Sequence, residues 1–384
     1  MSAQVQASVL HAAKDLRVES RSLSPPAADE VQVRIASTGL CGSDLHYYSH
    51  FRNGDILVRE PLSLGHESAG IVSSVGSSVT NFKPGDKVAL EVGLPCEQCQ
   101  RCQEGRYNIC KDIKFRSSGK AFPHFQGTLQ EKINHPAKWV YKLPEELSLD
   151  VGALLEPLGV ALHAFRRSLM PKDATVVVFG AGAVGLLCAA VAKLKGAKKI
   201  IIADIDAGRV GFAVQNGFAH NSYTVPMKRG KDIDENLAIA KETAAEIGKV
   251  DNVGEVDVVF ECTGVPSCVQ AGIYSTRPGG RIMLVGMGHP IQTIPLGAAA
   301  LREVDIVGVF RYANTYQESI DLVLQATKSA DGPDFSKLIT HRFAGLDEAV
   351  KAFEMAGKTK DADGKLVLKV IIDSIEGAKD GARL

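Results

Sequence analysis

Residues 174–206 contain the pattern that most restricts how this chain can fold. The apolar run Val176-Val-Val-Phe179 is followed by Gly180-Ala-Gly182-Ala-Val184-Gly185, then by a helical apolar stretch and a second apolar run that ends at Asp204. A strand, a tight turn, a helix and a second strand in this order form a unit with two parallel strands. Strands and helices continue to alternate up to about residue 300, so we expect a doubly wound parallel sheet of the α/β class.

The three glycines of this turn are typical of a dinucleotide site. The first, Gly180, permits the tight turn, Gly182 lets the backbone approach a pyrophosphate, and Gly185 lets helix and strand pack closely. Asp204 follows about twenty residues on, where a carboxylate can bind ribose hydroxyls. Because a carboxylate repels a 2′-phosphate, the sequence predicts NAD rather than NADP. The alternative is a glycine-rich turn in an α/β core, with an aspartate that only caps a helix.

The flanking regions differ in character from this domain. A chain of 384 residues exceeds the roughly 250–300 residues at which single cores stop growing, so two domains are expected. Many short strands precede residue 150, for example "EVQVRIA" at 30–36, and strands such as "ITHRF" at 339–343 return after the helical signal thins. The sequence therefore predicts a β-rich domain over 1–158, an inserted Rossmann NAD-binding domain over 159–300, and a return to the β-rich domain over 301–384.

Four cysteines lie close together in a lobe at about residues 95–112. Their spacing, C-x₂-C-x₂-C-x₇-C, supplies four thiolates and closes a tetrahedral zinc site with no position left for substrate; the ligands are Cys96, Cys99, Cys102 and Cys110. An iron–sulfur cluster is an alternative, but the spacing differs from that of the common ferredoxin types. A closed site of this kind predicts a structural metal.

Candidate ligands for a second, catalytic metal occur elsewhere. "GLCGSDLHYY" presents Cys41, Ser43 and His46, "LGHESAG" presents His66 beside Glu67, and "LLEPLGVALHA" presents Glu156. Each is weak alone, since a lone cysteine or histidine is more often a buried structural residue. Together they form the thiolate, imidazole and carboxylate set of a catalytic zinc with one open position.

The motifs "CGSDLHYY", "LGHESAG", the four-cysteine lobe, "LEPLGVALHA", "GAGAVG", "ECTG", "REVDIVGVFRYANTY" and "THRF" occur in this order. In this the chain resembles zinc-dependent medium-chain dehydrogenases, and within them the sorbitol (polyol) dehydrogenase branch, which includes xylitol and L-arabinitol dehydrogenases. The resemblance spans roughly residues 30 to 355. It implies a GroES-like catalytic domain around the Rossmann domain, and two zinc ions per chain. The chain departs from the family at 116–128, at a long insert near 228–255, and in the tail after 373.

The resemblance also implies a role for individual residues. The catalytic zinc would be held by Cys41, His66 and Glu67, with Glu156 acting through zinc-bound water or as an exchanging ligand, and Ser43 and His46 would relay the proton. The residues implied to line the polyol pocket are Tyr47, Phe115, Glu156, Arg311 and Tyr312. Those implied to bind the cofactor are Gly180, Gly182, Val184, Gly185, Asp204, Arg209, Thr263, Val285, Gly286, Phe310 and Arg311.

The implied reaction is the NAD-dependent oxidation of a polyol secondary alcohol to the ketose, D-sorbitol to D-fructose first of all, by zinc-alkoxide formation and hydride transfer. Xylitol, L-arabinitol, or another secondary alcohol such as L-threonine or a butanediol are the alternatives within the superfamily. A nucleic-acid-binding zinc protein and a catalytically inactive NAD-binding protein are the alternatives from other classes. Lys+Arg and Asp+Glu balance at 44 each, which argues against a nucleic-acid partner.

The remaining expectations concern location and assembly. The N-terminus lacks the pattern of a secretory signal peptide, and glycines interrupt the longest apolar run, Val176 to Ala192, so we expect no membrane partner. A cytoplasmic protein is expected, although the final Ala382-Arg383-Leu384 resembles a peroxisomal address. The resemblance implies a homotetramer.

Overall fold

The computed structural model describes residues 2–374 of the chain. Its strands are β1 (Ala3–Ala12), β2 (Asp15–Leu23), β3 (Glu30–Gly39), β4 (Arg52–Asn53), β5 (Ile56–Leu57), β6 (Leu62–Ser63), β7 (Glu67–Val75), β8 (Lys87–Leu90), β9 (Gly93–Leu94), β10 (Lys114–Phe115), β11 (Lys132–Pro136), β12 (Val140–Lys142), β13 (Thr175–Phe179), β14 (Lys199–Asp204), β15 (Asn221–Thr224), β16 (Val256–Glu261), β17 (Thr276–Leu284), β18 (Asp305–Gly308), β19 (Ile339–Ala344) and β20 (Lys369–Asp373). Its α-helices are α1 (Gly42–His50), α2 (Gln100–Gln103), α3 (Leu149–Ala153), α4 (Leu155–Ser168), α5 (Ala183–Leu194), α6 (Ala207–Gln215), α7 (Ile233–Lys249), α8 (Pro266–Ser275), α9 (Leu296–Ala300), α10 (Tyr316–Thr327) and α11 (Ala349–Ala356).

These elements form two compact units. The first unit takes the described residues up to 156 and from 335 onward, and the second unit takes residues 157–334. The first is rich in β-strands, whereas the second alternates strands and helices. This is the α/β fold class expected from the sequence, with a parallel-sheet unit inserted into a β-rich one.

The main sheet of the first unit is built around β3. In the order β12-β8-β7-β3-β20-β19, β3 pairs with β7 on one side, and on the other with β11 near its start and β20 near its end. Val31, Val33 and Ile35 are fully buried and alternate with half-exposed residues, as expected for a strand with one face on the core. The end of β3 therefore lies between the start of β7 and β20, where Gly39 is opposite both Glu67 and Ile371.

The sheet of the second unit is entirely parallel, in the order β15-β14-β13-β16-β17-β18. This is the doubly wound order in which the first strand in sequence is central. β13 is apolar and buried throughout Val176–Phe179, because helices cover both faces of such a sheet. In this class of fold, ligands bind outside the carboxyl ends of the strands where the strand order reverses, here next to β13.

The boundary predicted at residues 300 and 301 was wrong, because residues 301–334 belong to the second unit. β18 continues the parallel sheet, with Ile306 opposite Ile282 of β17. Glu318 of α10 pairs with Arg166 of α4 and with Lys195 just after α5. The chain thus returns to the β-rich unit only at residue 335, after one more strand and one more helix.

Four smaller points complete the comparison with the sequence. Residues 149–168 form two helices, α3 and α4, separated at Leu154. The insert at 228–255 contains the helix α7, capped by Asp232. Within residues 2–374, no helix has the length and apolarity needed to cross a membrane. The Ala382-Arg383-Leu384 tripeptide lies outside the described residues.

Candidate active site

Cys41, His66 and Glu67 come together in the first unit. One ligand atom of each lies within 4.8 Å of the others. Cys41 follows β3 and caps the start of α1, while His66 and Glu67 stand where β7 begins. The antiparallel pairing of Glu67 with Gly39 brings these two chain segments side by side. The result is the predicted set of one thiolate, one imidazole and one carboxylate, which suits a zinc ion with a fourth position open.

Asp44, which was given no role from the sequence, links the parts of this site. It is fully buried, and its Oδ1 lies 3.2 Å from Nδ1 of His66 and accepts the Gly65 N–H at 3.2 Å, while its Oδ2 accepts the Cys41 N–H at 3.3 Å. A carboxylate can only accept hydrogen bonds here, so Nδ1 of His66 carries a hydrogen and Nε2 is left as the nitrogen that can bind a metal. This is the carboxylate–histidine arrangement that orients a metal-binding imidazole.

The two buried groups shift each other's protonation. Burial alone lowers the pKa of His66, but the charge and hydrogen bond of Asp44 outweigh it and raise this pKa well above its ordinary value. Burial alone raises the pKa of Asp44, but the charge of His66 holds it below its usual range. A metal that binds Nε2 must therefore displace a proton held by this pair.

Lys369 is a second residue whose role was missed. It lies on β20, is 4% exposed, and its Nζ donates to Oε1 and Oε2 of Glu67 and to the carbonyl of Leu40. Burial lowers the pKa of Lys369, yet the charge of Glu67 more than compensates, and this pKa is raised. A lysine in the apolar run "GKLVLKVII" was the available signal, because a charge inside a buried strand requires a partner.

The expected proton-relay residues lie on α1. Ser43 and His46 are one helical turn apart, so they share a face of this helix, with His46 exposed and Ser43 half-buried. Glu156, near the start of α4, is buried; it is not part of the ligand cluster among the described residues, but its charge contributes to the raised pKa of Lys369.

Two of the expected pocket residues lie next to this cluster. The ring of Phe115 meets that of His66 edge-on, with centroids 5.5 Å apart. Tyr47 is buried, and its hydroxyl accepts the Gly119 N–H at 3.2 Å. The structure thus places the side chain of Phe115 against a metal-ligand candidate.

The four cysteines of the lobe also converge, and all are free thiols with one ligand atom of each within 4.8 Å of the others. Sγ of Cys102 lies 3.5 Å from Sγ of Cys99 and 3.9 Å from Sγ of Cys96. Four sulfurs around a zinc at about 2.3 Å would be separated by about 3.8 Å. The N–H groups of Gln98 and Cys99 lower the pKa of Cys96 to about 7, whereas burial raises the pKa values of Cys102 and Cys110, so a metal that binds all four sulfurs must displace protons. These donors fit a closed tetrahedral zinc site.

In the second unit, the glycine turn has the geometry expected of a dinucleotide site. Gly180 has φ +96°, a conformation that favours glycine. A Cβ at Gly185 would lie 1.8 Å from the carbonyl oxygen of Gly180, so helix and turn pack at backbone distance. A Cβ at Gly182 would meet only Arg209, at 4.0 Å, which leaves room for a phosphate at the start of α5, where Val184 also lies.

The other residues expected at the cofactor lie at the carboxyl ends of the parallel strands. Asp204 ends β14, and its carboxylate accepts the N–H groups of Ala181 at 2.7 Å and Asp206 at 3.0 Å. Asp206, not Asp204, caps α6 by accepting the Arg209 N–H. Glu261, which the sequence did not single out, ends β16; its carboxylate accepts the Thr263 N–H, and its carbonyl accepts those of Val285 and Gly286.

Phe310, Arg311 and Tyr312 follow β18 in the second unit. The Arg311 guanidinium stacks on the Phe310 ring, 4.9 Å from its centroid, and Phe310 is 46% exposed. Arg311 itself has φ +49°, in the left-handed region. Tyr312 is buried and its ring lies 5.7 Å from that of Tyr316.

Comparison with known proteins identifies the protein family to which the chain belongs. Residues 27–145 match the family model described as "Alcohol dehydrogenase GroES-like domain", and residues 183–325 match the one described as "Zinc-binding dehydrogenase". The sorbitol dehydrogenase of Gallus gallus is 40% identical over 365 residues, which cover 94% of this chain and 95% of that protein. The chain belongs to the zinc-dependent medium-chain dehydrogenase family.

Other relatives agree with this assignment. The human sorbitol dehydrogenase is 42% identical over 349 residues, covering 90% of this chain and 91% of that protein. The crystal structure of an Escherichia coli oxidoreductase of unknown specificity is similar with a TM-score of 0.83 and 30% identity, covering 97% of this chain and 99% of that one. The resemblance, the fold class and the oxidoreductase assignment made from the sequence are thereby confirmed.

Proposed function

We propose that this protein catalyses the NAD-dependent and zinc-dependent oxidation of a polyol secondary alcohol to the ketose, with D-sorbitol to D-fructose as the leading reaction. The observation that carries the proposal is the cluster of Cys41, His66 and Glu67, with Asp44 behind His66. The similarity of this chain, over most of its length, to proteins named sorbitol dehydrogenase supports the substrate class.

The two donor sets suit two zinc ions per chain with different roles. Cys41, His66 and Glu67 would hold one ion and leave a position for substrate. When bound there, zinc would supply a Lewis acid that lowers the pKa of a substrate hydroxyl. The four-cysteine lobe would hold the second ion, which has no open position and serves to fold the lobe.

The protein's own residues would manage the proton and the substrate. Ser43 would accept the proton of the reacting hydroxyl and pass it toward His46, whose exposed ring can release it to solvent. Glu156, which is buried and whose charge helps raise the pKa of Lys369, would act through water on the metal or as an exchanging ligand, as the resemblance implies. NAD held at the glycine turn would accept a hydride from the carbon that bears the hydroxyl, so the alcohol would lose two electrons and the hydroxyl proton would go to solvent.

The remaining substrate hydroxyls need donors and acceptors. Arg311 offers a rigid fork of donors, and its stacking on Phe310 fixes the guanidinium plane. Tyr47, Phe115 and Tyr312 would supply ring surfaces that limit the shape of the substrate. A single arginine among aromatic rings favours a neutral polyol over an anionic or amino-acid substrate.

The choice of NAD rests on Asp204. Its carboxylate is held beside the glycine turn by the N–H of Ala181 and has lone pairs left for the ribose hydroxyls of the cofactor. The same charge opposes a 2′-phosphate. Arg209, whose guanidinium lies 4.0 Å from the place that a Cβ of Gly182 would take, would contact the adenosine end of the cofactor.

Initial rates with NAD against a panel of D-sorbitol, xylitol, L-arabinitol and galactitol test the substrate class. We expect oxidation of at least one of these polyols with a kcat/KM well above that for L-threonine or 2,3-butanediol. A higher kcat/KM for xylitol or L-arabinitol would select the alternative polyol reactions. No turnover of any polyol, with activity on a butanediol, would contradict the proposal.

Assembly as a homotetramer, which the resemblance implies, and a cytoplasmic location belong to the same proposal. Light scattering on the purified protein tests the first, with a mass near four times 41.0 kDa expected. Imaging of the full chain with and without its last three residues tests whether Ala382-Arg383-Leu384 acts as a peroxisomal address.

A further inference from the structure

Residues 116–126 form a loop that closes on itself next to the proposed catalytic zinc site. The Ser117 N–H donates to the carbonyl of Phe125 at 3.0 Å, and Ser118 forms an isolated antiparallel β-bridge with Phe125. The tip is exposed, with Phe122 at 60% exposure, whereas the base is buried. We refer to these residues as the 116–126 loop; it lies where the sequence departs from the family pattern.

Arg116 fastens the base of the 116–126 loop. Its side chain is 5% exposed, and its guanidinium donates to the carbonyls of Gln126 at 2.9 Å and Asn134 at 2.6 Å. Nε of Arg116 lies 3.2 Å from Nδ1 of His135, and the guanidinium covers the ring of Phe125 at 4.3 Å. Both ends of the loop are thus tied to one buried, rigid side chain.

The next residue, Ser117, has a strained backbone and a buried hydroxyl. Its φ is +61°, a left-handed conformation that is unfavourable for a residue with a Cβ, and it is 2% exposed. Its Oγ lies 2.8 Å from Nδ1 of His66 and donates to Oδ1 of Asp44 at 3.1 Å. Strain of this kind persists only where the surrounding structure imposes it, and here it delivers a hydroxyl to a proposed metal ligand.

The direction of these hydrogen bonds follows from Asp44. Because the carboxylate only accepts, the Ser117 O–H points to Asp44, and the Oγ lone pair is free to accept the Nδ1–H of His66. Nδ1 of the imidazole is then held by two acceptors, Oγ of Ser117 and Oδ1 of Asp44, which leaves Nε2 available to a metal.

We propose that Ser117 is a positioning residue that fixes the ring orientation and tautomer of His66 for zinc binding. This inference rests on the proposed function, in which His66 is a zinc ligand. Ser117 thus connects the 116–126 loop to the proposed metal site, because the loop closure and Arg116 hold this residue in place. Groups behind a metal-binding histidine contribute to metal affinity through such orientation.

Ser117→Gly separates this role from a general effect on folding. Glycine removes the hydroxyl but favours positive φ, so the thermal stability of the zinc-loaded protein should be kept or raised. The zinc affinity of the Cys41 site should nevertheless fall about 10- to 100-fold. Ser117→Ala should weaken zinc to the same extent while also keeping the strain. Zinc competition with a chromogenic chelator measures the affinity, and the four-cysteine site serves as an internal reference.

Ser118→Ala is the matched control, because it removes the hydroxyl of the next residue along the chain. That hydroxyl is near Tyr47, 3.5 Å from the Tyr47 hydroxyl. We expect this variant to bind zinc with wild-type affinity. In addition, the visible spectrum of the cobalt-substituted protein should change in Ser117→Gly and not in Ser118→Ala.

Three results would overturn this role. Wild-type zinc affinity in Ser117→Gly, or equal losses in the Ser117 and Ser118 variants, would remove Ser117 from the metal site while leaving the proposed function intact. Wild-type protein that holds zinc only at the four cysteines would overturn the proposed function itself, and the positioning role with it.

Discussion

Lys369 and Glu67 form a buried ion pair, with Nζ of Lys369 2.8 Å from Oε1 and 2.6 Å from Oε2 of Glu67. The glutamate also belongs to the cluster with Cys41 and His66. The carboxylate therefore has two cationic partners available, the lysine and the proposed zinc ion. In the metal-free protein Lys369 compensates the buried charge of Glu67, and a bound zinc ion would compete with the lysine for this carboxylate.

Lys369→Met should destabilise the metal-free protein by about 3 kcal/mol, because it leaves Glu67 buried and unpaired. Bound zinc should restore much of the lost stability, because the metal then neutralises the Glu67 carboxylate without the lysine. We expect a larger rise in melting temperature on adding zinc than in the wild type, with Lys358→Met, an exposed site, as the control. A zinc-induced rise equal to or smaller than that of the wild type would contradict this competition.

Glu91 should make stability depend on pH. It is fully buried between the hydroxyls of Tyr107 and Tyr141, and burial raises its pKa from 4.5 to about 7. The folded protein holds this proton more tightly than the unfolded chain. The stability contributed by protonated Glu91 is therefore fully present below about pH 4.5 and is lost, by up to about 3 kcal/mol, as the pH rises to about 7.

Glu91→Gln should remove this dependence, because glutamine stays neutral and can still bond to both tyrosines. The fluorescence of Trp139, the only tryptophan of the chain, reports unfolding of this region, since its ring lies 5.0 Å from that of Tyr107. Urea unfolding at pH 5 and pH 8 measures how the free energy of unfolding changes with pH. This slope should differ between wild type and Glu91→Gln. Glu146→Gln, at an exposed position, should behave as wild type; identical slopes for all three would refute the assignment.

Asp204→Ser should reduce the preference for NAD. Without the carboxylate, the ribose loses a charge-assisted acceptor, and kcat/KM with NAD should fall about 10- to 100-fold. The value with NADP should rise, because the repulsion of the 2′-phosphate is gone. Asp206→Ser is the control: serine can still cap α6, so both values should stay close to wild type. Unchanged NAD and NADP kinetics in Asp204→Ser would rule out this role.

Cys99→Ser should affect stability more than chemistry. Loss of one of four thiolates opens the lobe site, so zinc content should fall by about one ion per chain and the melting temperature should drop. The zinc at Cys41 should remain. Cys268→Ser, in the second unit and outside both clusters, should keep both ions. Loss of both ions from Cys99→Ser would show that the two sites are not independent.

The parts of the molecule that the sequence predicted are those whose signal is local. Gly180, Gly182, Gly185 and Asp204 lie within one strand–helix–strand unit, and the four cysteines lie within fifteen residues, so spacing alone indicates their geometry. Cys41 and His66 are further apart; the sequence offered them within a larger set of candidate ligands, and the family resemblance selected them with Glu67 from that set. Their convergence depends on the pairing of β3 with β7, which no short pattern reveals.

The residues that the sequence did not reveal act over long separations. Lys369 lies 302 positions from Glu67 and reaches it because β20 pairs with the end of β3. Ser117 lies 51 positions from His66, and its left-handed backbone depends on how Arg116 is buried. The late return of the chain at residue 335 was missed because β18 is a short edge strand with little buried surface.

Zinc content and D-sorbitol oxidation, measured together on wild type and Cys41→Ser, test the catalytic role of the Cys41, His66 and Glu67 cluster most directly. We expect about two zinc ions per chain and NAD-dependent turnover in the wild type, and about one zinc ion, no detectable turnover and unchanged NAD affinity in Cys41→Ser. A fully active wild type with a single zinc at the four cysteines, or a Cys41→Ser variant that keeps its turnover, would contradict that role.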